Sequence, residues 1–174
     1  MILYPKSYFN NILEIDNDFL EKNKIRYIFL DIDNTILDTE NNIVEGLEEW
    51  VKDKQEHGIK FCILSNTNKK RKAERMSKIL DMPYVYFAKK PLKFGFEKAK
   101  KILKADNAFN IAVVGDQILT DVLGANRCKM YSILVAPLKN SDIWVTKFNR
   151  LLEKQILKKY FKENNIEMKN KCEK

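Results

Sequence analysis

Short apolar runs alternate with amphipathic helical stretches along almost the whole chain, and this alternation restricts the fold more than any other feature. Five runs read as strands: residues 26–32, 59–64, 84–87, 111–114 and 131–135. Each is rich in Ile, Val, Phe or Tyr and apolar on both faces, which suits a buried parallel sheet. Helical patterns lie between them. Residues 45–55 place Leu47, Trp50 and Val51 on one stripe, and His57-Gly58 ends it. Residues 70–80 do the same with Ala73, Met76, Ile79 and Leu80, stopping before Pro83. Pro91 is expected to open the next helix, with Phe94, Ala99, Ile102 and Leu103 turned inward. Ile118, Val122 and Ala125 supply the stripe after Gly115-Asp116. Strict alternation predicts an α/β fold: a three-layer, doubly wound parallel sheet of about five strands with right-handed crossovers. In such folds ligands gather beyond the carboxyl ends of the strands.

Those carboxyl ends carry the chemistry. Asp31-Ile32-Asp33-Asn34-Thr35 directly follows Tyr27-Ile28-Phe29-Leu30. Carboxylates at i and i+2 of a strand point to one side, and charges beside a buried strand need a cation or a protonated partner. Metal-assisted phosphoryl transfer uses this arrangement. The plainer reading is a strand that exits through acidic turn residues, since Asp-x-Asp-x-Thr arises by chance in roughly a few per cent of chains this long. The second strand ends in Ser65-Asn66-Thr67, and Lys90-Pro91 follows the third after a short spacer. The fourth ends in Gly115-Asp116-Gln117, with Thr120-Asp121 beyond. Singly, Ser65 reads as a helix N-cap, Lys90 as a surface lysine, and Asp116 and Asp121 as turn and helix-start residues. Together, at successive strand ends, they make one site.

In that order these residues resemble the four motifs of the haloacid dehalogenase (HAD) superfamily of aspartate-nucleophile phosphatases. The likeness is closest to the capless IIIA subgroup of YqeG-type proteins, through Leu64-Ser65-Asn66-Thr67, Ala88-Lys89-Lys90-Pro91, residues 115–121 and Lys147-Phe148-Asn149-Arg150. The resemblance implies a HAD-like Rossmannoid core over residues 1–141. It implies Asp31 as nucleophile and Asp33 as acid/base. Mg2+ would be held by Asp31, Asp116 and the Asp33 backbone carbonyl. Ser65, Asn66 and Lys90 would bind phosphate, with Thr35 and Asp121 supporting the site from behind.

Only residues 36–44 separate the first strand end from its helix, and 66–84 hold one helix and a turn, so neither gap houses a cap domain. An open site suits a phosphate on a large carrier better than a small metabolite. Related eukaryotic enzymes dephosphorylate phosphatidylglycerophosphate at a membrane, so the resemblance points to a lipid-borne phosphate.

The net charge is +8, concentrated in residues 69–78, 89–104 and from 147 onward. Such stretches fit solvated helix faces or an anionic partner: phosphorylated substrate, nucleic acid or anionic lipid. The alternative function is therefore a nucleic-acid- or ribosome-associated protein, although no RNA-binding motif is present. Residues 142–174 read as a basic amphipathic helix and tail, with Trp144, Phe148, Leu151, Leu152, Ile156 and Tyr160 near helical spacing. That helix either packs on the core or lies on an anionic membrane surface. Cys62, Cys128 and Cys172 form no zinc or disulfide pattern. With no signal-peptide pattern and no long apolar run, the expected location is cytoplasmic, with peripheral membrane attachment left open.

Overall fold

In the structure, a computed structural model that describes residues 1–139 and 144–164, each of the five apolar runs becomes a strand of one sheet. The order along the chain is β1 (Ser7–Phe9), α1 (Asn17–Lys22), β2 (Tyr27–Leu30), α2 (Leu47–Glu56), β3 (Lys60–Leu64) and α3 (Lys70–Ile79). Then come β4 (Tyr84–Val85), α4 (Lys93–Ile102), β5 (Ile111–Gly115), α5 (Leu123–Arg127), β6 (Tyr131–Val135) and α6 (Trp144–Glu163). The sheet order is β1-β6-β5-β2-β3-β4, and every pairing is parallel. The sixth strand, β1, was not expected. Ser7-Tyr8-Phe9 is a half-buried edge strand pairing only with β6, so no continuous apolar run announces it.

Alternation along each strand sorts the core into two layers. Ile28 and Leu30, Phe61 and Ile63, and Ala112 and Val114 face α2 and α3, where they meet Leu47, Trp50, Val51, Ala73 and Met76. Phe29, Cys62, Leu64, Ile111 and Val113 face the other way, against Phe96 and Ala99 of α4 and Ala125 of α5. Each fully buried side chain of this size stabilises the fold by about 1.5–3 kcal/mol.

Helix α4 differs from expectation in start and phase. Pro91 lies in a turn closed by Leu92 N–H donating to the Lys89 carbonyl, and the helix begins at Lys93. Its buried stripe is Gly95, Phe96 and Ala99, while Phe94 is 65% exposed and Ile102 40%. At 100° per residue Phe94 sits far from the Phe96–Ala99 direction, so it points outward with Lys98 and Lys101.

The C-terminal part of α6 packs on the sheet's outer edge. Tyr160 meets Tyr4 edge-on with ring centroids 5.5 Å apart, and Phe161 meets Tyr8 at 5.0 Å. Ile156 and Leu157 rest on Ile118, Val122 and Leu134. The apolar stripe expected on this helix is thus used on the core from Ile156 onward. The side chains of Trp144, Phe148, Leu151 and Leu152, and residues 140–143 and 165–174 including Cys172, lie outside the described ones. No described helix is long and apolar enough to cross a membrane.

Candidate active site

Register places the site. Leu30 of β2 stands opposite Ile63 of β3 and Val114 of β5, so the three central strands end at one level. The order in which strands are added reverses here: β3 and β4 build one side of β2, β5 and β6 the other. Such a switch point opens a crevice at the carboxyl ends.

Asp31 is the first residue beyond β2; its N–H donates to the Val114 carbonyl at 2.9 Å and its carboxylate is buried. Asp116 is the first residue beyond β5 and is also buried. Asp121 reaches back from a π-helical turn, Ile118–Val122. Its carboxylate accepts the Gln117 N–H at 3.2 Å and lies against the Gly115 backbone. A Cβ on Gly115 would occupy the space of that carboxylate, so a glycine ends β5.

Lys90 joins these acids. Its Nζ lies 2.7 Å from Asp31 Oδ1 and 2.6 Å from Asp121 Oδ1, with all three side chains buried. Burial alone would lower the Lys90 pKa, but Asp121 and Asp31 outweigh it and hold the ammonium above its usual value. Burial pushes the Asp31 carboxyl up to about 7; Lys90 opposes the rise, while Asp121 and Asp33 add to it. The Lys90 backbone is clamped by Asn66, whose Oδ1 accepts its N–H at 2.6 Å and whose amide donates to its carbonyl at 3.0 Å.

Ser65, the first residue beyond β3, is wholly buried, and its Oγ accepts the Thr67 N–H at 3.2 Å. It is not a helix cap, since α3 begins only at Lys70. Thr35 and Asn34 are buried beside Asp31 in the chain, and their Oγ1 and Oδ1 have no hydrogen-bond partner among the described residues. Asp33 differs from Asp31: its side chain is 50% exposed and forms an ion pair with Lys72 of α3.

One carboxylate oxygen from each of Asp31, Asp116 and Asp121 lies within 4.8 Å of the others. An all-oxygen donor set this close together fits a hard divalent cation.

The family model for mitochondrial PGP phosphatases matches residues 1–137. The probable phosphatase YqeG of Bacillus subtilis (strain 168) is 36% identical over 164 residues, covering 94% of each chain. The chain belongs to the YqeG-type HAD phosphatases. It is an enzyme of that class. Among solved structures, an uncharacterized protein from Listeria monocytogenes serotype 4b is similar with a TM-score of 0.55 and 17% identity, over 78% of this chain and 99% of that one. The cobalt-bound deoxy-D-mannose-octulosonate 8-phosphate phosphatase (YrbI) of Haemophilus influenzae gives 0.53 and 13%, over 79% and 90%. Both likenesses show the fold, an α/β HAD core.

In this HAD phosphatase Asp31, Lys90 and Asp116, three of the strand-end residues read from the sequence, come together, and Ser65 follows the adjacent strand β3. Three placements refine the sequence reading. Asn66 uses both ends of its amide on the Lys90 backbone rather than presenting them to the crevice. Asp121 joins the acidic cluster and pairs with Lys90. Asp33 directs its carboxylate to Lys72, a residue read from the sequence only as part of a basic stretch. His57 ends α2, its Nδ1 3.4 Å from Asp53 Oδ1, away from the site.

Proposed function

We propose that this phosphatase hydrolyses phosphomonoesters with Mg2+ through an aspartyl-phosphate on Asp31, and that its substrate is a lipid-borne phosphate such as phosphatidylglycerophosphate. The observation that carries the reading is the buried cluster of Asp31, Asp116 and Asp121 bridged by Lys90.

Asp31 attacks phosphorus, forming a P–O bond as the bond to the leaving oxygen breaks. Asp33, half exposed on the solvent side, gives a proton to that oxygen, then takes one from the water that attacks the aspartyl-phosphate. Phosphate leaves and the Asp31 carboxylate is restored. Lys90 and Ser65 hold phosphoryl oxygens, with Lys90 also damping repulsion between the substrate and the buried acids. Mg2+ would be held by Asp31, Asp116 and the Asp33 backbone carbonyl, and when bound it supplies charge neutralisation that lets an anionic nucleophile approach an anionic phosphate.

The short loop after β2 supports a bulky substrate. Leu37 bridges to Ile43 and Val44 N–H donates to the Ile36 carbonyl, closing the loop with no inserted domain. The matched family, described as PGP phosphatase, agrees with a lipid headgroup. The nucleic-acid alternative is not favoured by these relatives.

The test is a phosphatase screen of the full chain on phosphatidylglycerophosphate in mixed micelles, sugar phosphates, nucleotides and an aryl phosphate, with Mg2+ or chelator, beside Asp31→Asn. Turnover that needs Mg2+ and Asp31, and is fastest on the lipid, is expected. Preference for a sugar phosphate or nucleotide would overturn the substrate; undiminished activity of Asp31→Asn would overturn the nucleophile.

A further inference from the structure

Among the described residues, eight large apolar side chains are exposed, and four of them, Tyr86, Phe87, Leu92 and Phe94, fall within residues 86–94. This segment surrounds Lys90. Phe87 is 51% exposed, Leu92 52% and Phe94 65%. They protrude for a local reason. Gly95 lies so close to Ala88 that a Cβ there would come 2.7 Å from the Ala88 Cβ. The first turn of α4 is therefore pressed onto buried Ala88, leaving the neighbours Phe87 and Phe94 on the outside.

The same segment is fastened to a second one at the end of β3. Phe87 N–H donates to the Thr67 carbonyl at 2.9 Å, and Ala88 N–H to the Ser65 carbonyl at 2.9 Å. The Asn66 amide holds the Lys90 backbone from the other side. Residues 65–74 and 86–97 carry Lys69, Lys70, Arg71, Lys72, Lys89, Lys90 and Lys93 against Glu74, which lies 3.3 Å from the Lys70 ammonium, and Glu97. Of these, Lys69, Lys70, Arg71, Lys89 and Lys93 are exposed, and the Lys89 ammonium stands 5.1 Å over the Phe87 ring. The result is a rim of aromatic and leucine side chains set among cations, at the mouth of the site that Lys90 completes.

We propose that this rim docks the protein on a bilayer of anionic phospholipid, with Phe87, Leu92 and Phe94 entering the headgroup–acyl boundary and the flanking lysines meeting lipid phosphates. Clustered exposed apolar groups mark an interaction surface, and aromatic residues interleaved with Lys suit the interface between headgroups and acyl chains. The excess of cations over acids selects an anionic surface. The inference rests on the reading of the site as acting on a membrane-borne phosphate, because docking here turns the carboxyl ends of the strands toward the lipid.

The experiment is co-sedimentation of the full chain with vesicles of phosphatidylcholine alone or mixed with phosphatidylglycerol. It compares wild type, Phe87→Ser/Leu92→Ser/Phe94→Ser, and Phe109→Ser. Phe109 is equally exposed but precedes β5, at the opposite end of the sheet. Wild type and Phe109→Ser should bind the mixed vesicles, weakening as salt rises, and the triple variant should bind about tenfold more weakly or less. Equal binding to neutral vesicles, no binding, or a triple variant that binds like wild type would overturn the proposal. So would wild-type self-association that the triple variant abolishes, which would assign the rim to a second copy. Should the triple variant misfold, Phe94→Trp replaces it: its added emission should be quenched by brominated anionic lipid, and unchanged emission would count against docking. Asp31→Asn separates the two readings, since it should bind vesicles as wild type does even where no phosphatase turnover is found.

Discussion

The Lys90 ammonium lies 2.7 Å from the Asp31 carboxylate, and both groups are almost wholly shut off from water. The contact ties the turn after β4 to the end of the central strand. A second contact at 2.6 Å extends it to Asp121. Lys90 is thus a counter-ion to Asp31 and Asp121 as well as a candidate phosphate ligand.

Lys90→Met should therefore cost more than a contact. Removing one partner of a buried ion pair leaves the others uncompensated, a loss of about 3–5 kcal/mol. Urea unfolding without metal should show this loss, and added Mg2+ should narrow it. Turnover should fall about a hundred- to a thousandfold. A variant matching wild type in both measurements would remove Lys90 from its role.

Asp31 gives the pH dependence. Burial pushes its carboxyl up to about 7. A carboxyl raised on folding holds its proton more tightly in the folded chain, so its contribution to stability is greatest below the unfolded value. That contribution falls as the pH climbs from about 4 in the unfolded chain and is lost above about 7. The metal-free unfolding midpoint of wild type should fall relative to Asp31→Asn across this window. A divalent cation displaces the proton, so Mg2+ should raise the wild-type midpoint more at about pH 8 than at about pH 5. Parallel pH profiles for the two proteins would contradict this.

The site's ingredients were legible in the sequence because Asp31, Ser65 and Asp116 each directly follow an apolar run, and a parallel sheet aligns the ends of its strands. What was not legible depends on three dimensions. Ser7-Tyr8-Phe9 is an edge strand half open to solvent, so it lacks the apolar signature that betrays β2 or β5. Phe94 looks like a core residue by type, yet the helix phase set by Phe96 and Ala99 turns it outward. The pairing of Lys72 with Asp33 joins residues 39 apart, with no spacing rule to reveal it.

Gly115 tests the backing of the cluster. Its Cα faces the Asp121 carboxylate so closely that a methyl group cannot fit without moving it. Gly115→Ala should displace Asp121, loosening Lys90 and the acidic cluster together. Overpacking of this kind costs about 1–3 kcal/mol. Calorimetric titration should show weaker Mg2+ binding than in wild type, with far-ultraviolet circular dichroism unchanged. Wild-type affinity in this variant would mean that Asp121 does not support the cation site.

Lys72 tests the other carboxylate. It projects from the first turn of α3 to Asp33, whose side chain is 50% exposed. Exposed pairs contribute only about 0.2–1 kcal/mol to folding, so Lys72→Ala should shift the urea midpoint little. If Asp33 moves protons, the orientation that Lys72 imposes matters far more to turnover than to stability, because misplacing a catalytic group by about 1 Å can cost about a hundredfold. Lys72→Ala should therefore lower kcat about tenfold or more, within that bound, and leave KM for an aryl phosphate near the wild-type value. Lys72→Arg, which keeps the charge within reach of Asp33, should recover most of the rate. Loss of stability in proportion to activity, or no rescue by arginine, would instead assign Lys72 a purely structural part.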